Sequence, residues 1–419
     1  MAESASSMPV EATLLAQVAE QFGTPCYVYS RQKLVEAWHS YADPLIGRDA
    51  LICYAMKANS TLAILDVFAR LGAGFDIVSA GELARVIAAG GNPGRVVFSG
   101  VGKSESDILA ALEANILCFN IESASELRRI ESLAQRRGTR ARISVRVNPD
   151  VDAGTHPYIS TGLRENKFGI PFTQARELYR HAQASAHLVV VGIDVHIGSQ
   201  ILELAPFLEA LDRTLAFADS LVAEGIAIHH LDLGGGVGIR YRDEEPLLPA
   251  DYIREVYARL GERPWQLLLE PGRSLVGNAG VLLTRVEYLK QGGDRQFAIV
   301  DAAMNDLLRP SLYDAWHDIV ALKPPQGVPQ VFDIVGPVCE SGDFLGRGRS
   351  LALAEGDLLA VLSAGAYGMS MSSNYNSRAR PAEVLVDGQT MHLIRERESL
   401  SDLFRGERRA PSAEDERPA

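Results

Sequence analysis

Between Leu51 and Ser274 the chain alternates short, wholly apolar runs with longer segments in which apolar residues recur every three or four positions. The runs LICYAM, GFDIVS, RVVFSG, LCFNIES, RISVRVNP, VVGIDVHIG, HHLDLGG and QLLLEPG are short and rich in β-branched and aromatic residues, and read as strands buried on both faces. Segments such as GELARVIAAG, SESDILAALEAN and ASELRRIESLAQRRG carry the helical period between them. Eight strand–helix units over roughly 220 residues are the count and length of a (β/α)8 TIM barrel, whereas a doubly wound sheet usually has fewer strands. After about Gly277 the rhythm changes. VLLTRVEYLK, QFAIVDAAMN, QVFDIVGPV, DLLAVLSAGAY and AEVLVDG follow one another without helices, as in an antiparallel β-domain. CYVYS, at residues 26–30, precedes the barrel and is expected to join that second sheet.

The fold class expected is therefore α/β: a barrel plus a C-terminal antiparallel β-domain. Residues 1–35 would be an N-terminal segment joining the β-domain, 36–276 the barrel, 277–407 the β-domain, and 408–419 a disordered tail, since GERRAPSAEDERPA is polar and poor in apolar residues. The stretch NPDVDAGTHPYISTGLRENKFGIP, residues 148–171, is long, polar and rich in Gly and Pro, and is expected to be a mobile loop at an active site.

Charge narrows the function. With 41 Lys+Arg against 53 Asp+Glu, a formal charge of −12, the molecule repels nucleic acid and anionic membranes, which favours an enzyme acting on small molecules. Cys26, Cys53, Cys118 and Cys339 show no C-x-x-C spacing, and three of them lie in strand-like runs, so neither a disulfide framework nor a metal site is suggested. The start MAESASSMPVEATLLAQVAE lacks a basic region followed by an apolar block, and no apolar run is long enough to span a bilayer. A cytoplasmic protein is expected.

In a barrel, chemistry belongs at the C-terminal strand ends, and polar residues collect there. Lys57 follows the first strand, Asp76 lies in the second, Ser99 closes the third, Asn148 the fifth, His196 the sixth, Gly234, Gly235 and Gly236 follow the seventh, and Glu270 closes the eighth. Lys57 would ordinarily be a solvated loop residue; held in a cleft, desolvation would lower its pKa and make the amine a nucleophile toward carbonyls. LDLGGGVG and EPGRS stand where barrels often bind phosphate through converging backbone N–H groups. A dinucleotide is not indicated, because Ile239 occupies the place of the last glycine in G-x-G-x-x-G. A lysine nucleophile, a phosphate cradle, a histidine able to lie on a ring face and a carboxylate able to hold a pyridine nitrogen protonated are the parts that pyridoxal 5′-phosphate requires.

YAMKAN, HIGSQI, DLGGG, EPGR, MNDLLRPSLYDAWH, GPVCESGDFL and GAYGMSMSSNYN together resemble the fold-type III pyridoxal-phosphate decarboxylases, from about Gly23 to Phe404. The departures are Val195 before the histidine and NKFG, where a serine often precedes the lysine. The resemblance implies an alanine racemase-like architecture, with Lys57 as the Schiff-base lysine and His196 stacked on the ring. It places Ser199, Gly236, Gly272, Arg273 (through its backbone) and Tyr367 around the phosphate. Arg273, Arg309 and Tyr313 would grip a substrate carboxylate, with Tyr367 nearby, and Cys339 and Glu340 would reach into the active site of the other subunit of a homodimer.

In such a site the bond to the α-carboxylate breaks and an acid then protonates the α-carbon; Cys339, in GPVCESGD, is the candidate. Arg309, Arg273 and Tyr313 suit a distal carboxylate, and Glu340 a distal amine. meso-Diaminopimelate, an amino acid at both ends, uses all of them and would leave L-lysine and CO2. Alternatives are decarboxylases of ornithine, arginine or carboxynorspermidine, an amino-acid racemase, and a non-catalytic pyridoxal-phosphate carrier. A racemase needs a second base where this chain has Cys339 and Glu340, and a carrier would be a single barrel.

Overall fold

The computed structural model describes residues 8–152, 167–324 and 327–410. Most of the expected active-site loop, 153–166, and most of the expected tail, 411–419, lie outside the described residues. β1 (Cys26–Ser30) comes first, followed by β2 (Ala50–Ala55), β3 (Gly74–Ile77), β4 (Val96–Phe98), β5 (Cys118–Ile121), β6 (Ala141–Asn148), a two-residue β7 (Ile170–Pro171), β8 (Leu188–Val195), β9 (His230–Asp232) and β10 (Gln266–Leu269). Leaving β7 aside, β2 to β10 pair in parallel in chain order, and β10 returns to β2, which closes an eight-stranded barrel. The helices between them bury one stripe. Ala124–Arg136 covers Leu127, Ile130, Leu133 and Ala134, and Ser123 caps it by accepting from the Glu126 N–H.

The second sheet contains β11 (Gly280–Gly292), β12 (Arg295–Val300), β13 (Ile319–Ala321), β14 (Gln330–Val335), β15 (Phe344–Leu351), β16 (Leu358–Val361), β17 (Ala382–Asp387) and β18 (Thr390–Arg395). Its order is β15-β14-β12-β11-β1-β17-β18, with β16 bridging β11 and β13. As expected, β1 joins this sheet, between β11 and β17. It is not purely antiparallel: β1–β17 and β12–β14 are parallel pairs. β1 arrives from the other end of the chain, and the helix Arg309–Tyr313 with β13 supplies the crossover that a parallel β12–β14 pair needs.

A loop of the second sheet clasps the segment carrying Lys57. The Tyr367 N–H and the Ser370 hydroxyl donate to the Ala58 carbonyl at 2.8 and 3.1 Å, and Asn59 Nδ2 donates to the Gly365 carbonyl at 3.1 Å. Asn59 does not cap the helix that follows it. The helix is Leu62–Arg70 with Thr61 at its N-cap, and Asn59 instead closes a turn by accepting from the Thr61 N–H. Its amide is committed to joining the two parts of the chain.

Candidate active site

The barrel's strand ends and the loops of the second sheet enclose a cavity of about 470 Å3. Of the residues singled out from sequence, Lys57, Ser99, His196, Ser199, Gly236, Glu270, Gly272, Arg273, Arg309, Tyr313 and Tyr367 line it. Lys57 Nζ donates to Asp76 Oδ2 at 2.8 Å; the lysine side chain keeps 38% of its exposure while that of Asp76 has none. The expected lowering of the Lys57 pKa is not found. Burial pulls it down, but the carboxylates of Asp76 and Glu270 override that and hold it above the ordinary lysine value.

The seventh-strand glycines divide their work. The Gly234 N–H donates to Asp232 Oδ1 at 2.9 Å and the Gly235 N–H to His196 Nδ1 at 3.1 Å, so these two are committed within the protein rather than to a phosphate. Neither lines the cavity; Gly236 does, at φ 119°, where a side chain would be strained. Accepting at Nδ1 leaves His196 with its proton on Nε2. Burial, with Arg146 and Lys57 nearby, holds its pKa well below the ordinary histidine value, so the ring is neutral.

Glu270 belongs to a cluster whose other two members, Asp194 and Asp232, the sequence reading did not single out. Asp194 on β8, Asp232 on β9 and Glu270 just past β10 bring carboxylate oxygens within 4.8 Å of one another, all buried. Asp194 Oδ1, Asp232 Oδ2, Glu270 Oε1 and Asp76 Oδ1 make no hydrogen bond. Burial, then the neighbouring carboxylates, push the pKa of Asp194 and Glu270 well up, and Asp232 is raised as well by burial. A signal was present in GIDVHIG: Asp194 lies two residues before His196 and so on the same face of the strand.

Cations line the opposite wall. Arg273 Nη1 donates to the Tyr241 hydroxyl at 2.6 Å and Nη2 to Ser199 Oγ at 3.0 Å, and its guanidinium lies 4.8 Å from the Tyr367 ring centre. Arg309 lies 4.5 Å over the Tyr241 ring. Both are 7% exposed, which removes the surface ion pair as the explanation of Arg309, and among the described residues no carboxylate lies within 4.0 Å of either guanidinium. Arg146 contrasts with them, being paired with Glu122 at 2.8 Å. Cys339 and Glu340 do not line the cavity of their own chain. Cys339 is exposed, its N–H held by Asn376 Oδ1 at 2.9 Å, and Glu340 accepts from the Tyr375 hydroxyl.

The residues fit pyridoxal 5′-phosphate on features of their own. A lysine stands in the cavity, the buried Glu270 Oε1 lacks a partner, a neutral imidazole lines the wall, and glycine backbone is exposed to the same space. Residues 31–277 match the family of pyridoxal-dependent decarboxylases in its pyridoxal-binding domain. The chain is 59% identical over 401 residues to the diaminopimelate decarboxylase of Pseudomonas aeruginosa, covering 96% of this chain and 97% of that one. It is 58% identical to that of Vibrio cholerae over 93% of this chain and 94% of the other. The crystal structure of diaminopimelate decarboxylase from Helicobacter pylori complexed with L-lysine superposes with a TM-score of 0.91 at 46% identity, covering 93% of this chain and 98% of that one.

Proposed function

The chain belongs to the pyridoxal-dependent diaminopimelate decarboxylases, and on that premise we propose how its own residues remove one carboxylate of meso-diaminopimelate to leave L-lysine and CO2. The observation that carries the reading of specificity is the pair of buried guanidiniums, Arg273 and Arg309, whose partners are hydroxyl, imidazole and aromatic groups. Buried charges are ordinarily paired, so the missing partner is an anion brought by the substrate.

Lys57 would carry the cofactor, with His196 available to its ring and Ser199, Gly236, Gly272, the Arg273 backbone and Tyr367, which line the same cavity, available to its phosphate. When bound, the cofactor supplies a conjugated system that accepts the electron pair released as the carboxylate leaves. Glu270, whose buried Oε1 makes no hydrogen bond, would accept as a carboxylate from the protonated ring nitrogen, with Asp232 and Asp194 behind it. Arg309, Arg273 and Tyr313, with Tyr367 beside them, hold the distal carboxylate. Glu340 of a second copy accepts from the distal ammonium, and Cys339 of that copy protonates the α-carbon. The working unit is a homodimer. The protein acts in the cytoplasm, a reducing compartment that suits its free thiols; among the described residues no helix is long and apolar enough to cross a membrane.

CO2 release from meso-diaminopimelate, lysine, ornithine and arginine tests this reading. Diaminopimelate should be turned over and the others, which lack the distal carboxylate, should not; equal release from ornithine would overturn it. Arg309→Ala should weaken diaminopimelate binding by about 1.5 to 3 kcal/mol, the range for a hydrogen bond to a charged group. Glu270→Gln should retain the cofactor yet turn over more slowly. An amide cannot hold the ring nitrogen's proton, and each unit lost from that nitrogen's pKa corresponds to about 1.36 kcal/mol. Unchanged turnover would remove Glu270 from this role.

A further inference from the structure

Arg309 owes its position to a neutral group. Its Nη1 donates to Nε2 of the buried His317 at 2.8 Å, and Nδ1 of the same ring lies 2.8 Å from the Leu362 carbonyl oxygen. A guanidinium has only donors and a carbonyl only accepts. Both contacts are satisfied by one state alone, the neutral imidazole with its proton on Nδ1 and its lone pair on Nε2. The charged groups facing the ring are Arg309, Arg273 and Arg349, all cations, and burial also disfavours a second proton. The Tyr241 ring stands nearly perpendicular to it, 5.2 Å between centres.

A carboxylate in the place of His317 would orient the guanidinium equally well but would also neutralise it, as Glu122 does for Arg146. We propose that His317 is a positioning residue that sets specificity: fixed as the Nδ1–H tautomer by the Leu362 carbonyl, it aims Arg309 through a neutral hydrogen bond and leaves the guanidinium's charge for the substrate's distal carboxylate. This rests on the reading of Arg309 given above and adds what keeps that arginine available. The distal carboxylate is retained in the product, so product binding reports on it.

The test uses the cofactor-loaded wild type, His317→Gln and His317→Glu, titrated with L-lysine and with 1,5-diaminopentane and followed by the cofactor's absorption. The two ligands differ only in the carboxylate. The wild type should prefer lysine, and His317→Gln, a neutral side chain of similar size, should keep that preference. His317→Glu should lose roughly tenfold or more of it, the range for a charged hydrogen bond, with diaminopentane binding unchanged. Full preference for lysine in His317→Glu overturns the role of His317 alone. No preference in the wild type overturns the reading of Arg309 as well. Should His317→Glu fail to fold, 15N NMR of the wild type decides, with His317→Gln assigning the signal. Nε2 should be unprotonated and Nδ1 protonated from pH 6 to pH 8, and a ring protonated on Nε2 contradicts the proposal.

Discussion

Lys57→Ala is expected to abolish turnover, lowering kcat/KM by at least about 10³-fold, or roughly 4 kcal/mol of transition-state stabilisation. The amine is the group that would bind the cofactor covalently, and among the described residues no other lysine lines the cavity: Lys103 is buried but committed to Glu126 and to the carbonyls of Gly100 and Asn120. Truncation has a second effect, because it leaves the buried Asp76 without the ammonium that it meets at 2.8 Å. Lys57→Arg separates the two. Its guanidinium keeps a cation against Asp76 but is never a free amine at working pH, so it cannot replace the nucleophile. Both variants should lose the absorption of the lysine-bound cofactor, and Lys57→Arg should melt closer to the wild type than Lys57→Ala does. Substantial turnover in either variant would take Lys57 out of the mechanism.

Cys339→Ala is the second large effect expected. Cys339 is exposed on the single chain and belongs to none of the core clusters of the described residues, so its truncation should leave folding and cofactor binding intact. Turnover should fall by roughly 10²–10⁴-fold, the usual contribution of a positioned general acid. A loss of that size with unchanged cofactor content assigns the thiol to proton transfer. A variant that loses cofactor in proportion to activity would make Cys339 structural.

How much of this was legible in the sequence follows from burial. Strands β2 to β6 and β8 to β10 are covered on both faces, so they appear as continuous apolar runs, and the polar residues ending them stand out. β18 is a short edge strand with no buried side chain, and β15 mixes glycine and arginine into FLGRGRSL; both went unread. In the site, Lys57 and His196 were readable because strand ends are where a barrel works. The Lys57 pKa was misjudged because its direction depends on Asp76, on the neighbouring strand β3, and on Glu270, brought near by closure of the barrel through β10 and β2. Asp194, Asp232 and His317 act through partners distant in sequence. Nothing local in YDAWH indicates that Leu362, 45 residues later, fixes the tautomer of His317.

We propose that each site is assembled from two chains, with Lys57 in the barrel of one and Cys339 from the β-domain of the other. In a two-fold dimer a β-domain can cover its partner's barrel mouth, closing two equivalent sites at once. The most direct measurement is the activity of a mixture of Lys57→Ala and Cys339→Ala chains, co-expressed or unfolded and refolded together, in a preparation shown to contain mixed dimers. With random pairing about half the dimers are mixed, and each mixed dimer has one site with both groups intact, so about a quarter of wild-type activity should return. If one chain supplies both groups, every site carries a defect, and activity no higher than that of the separate variants would contradict the shared site.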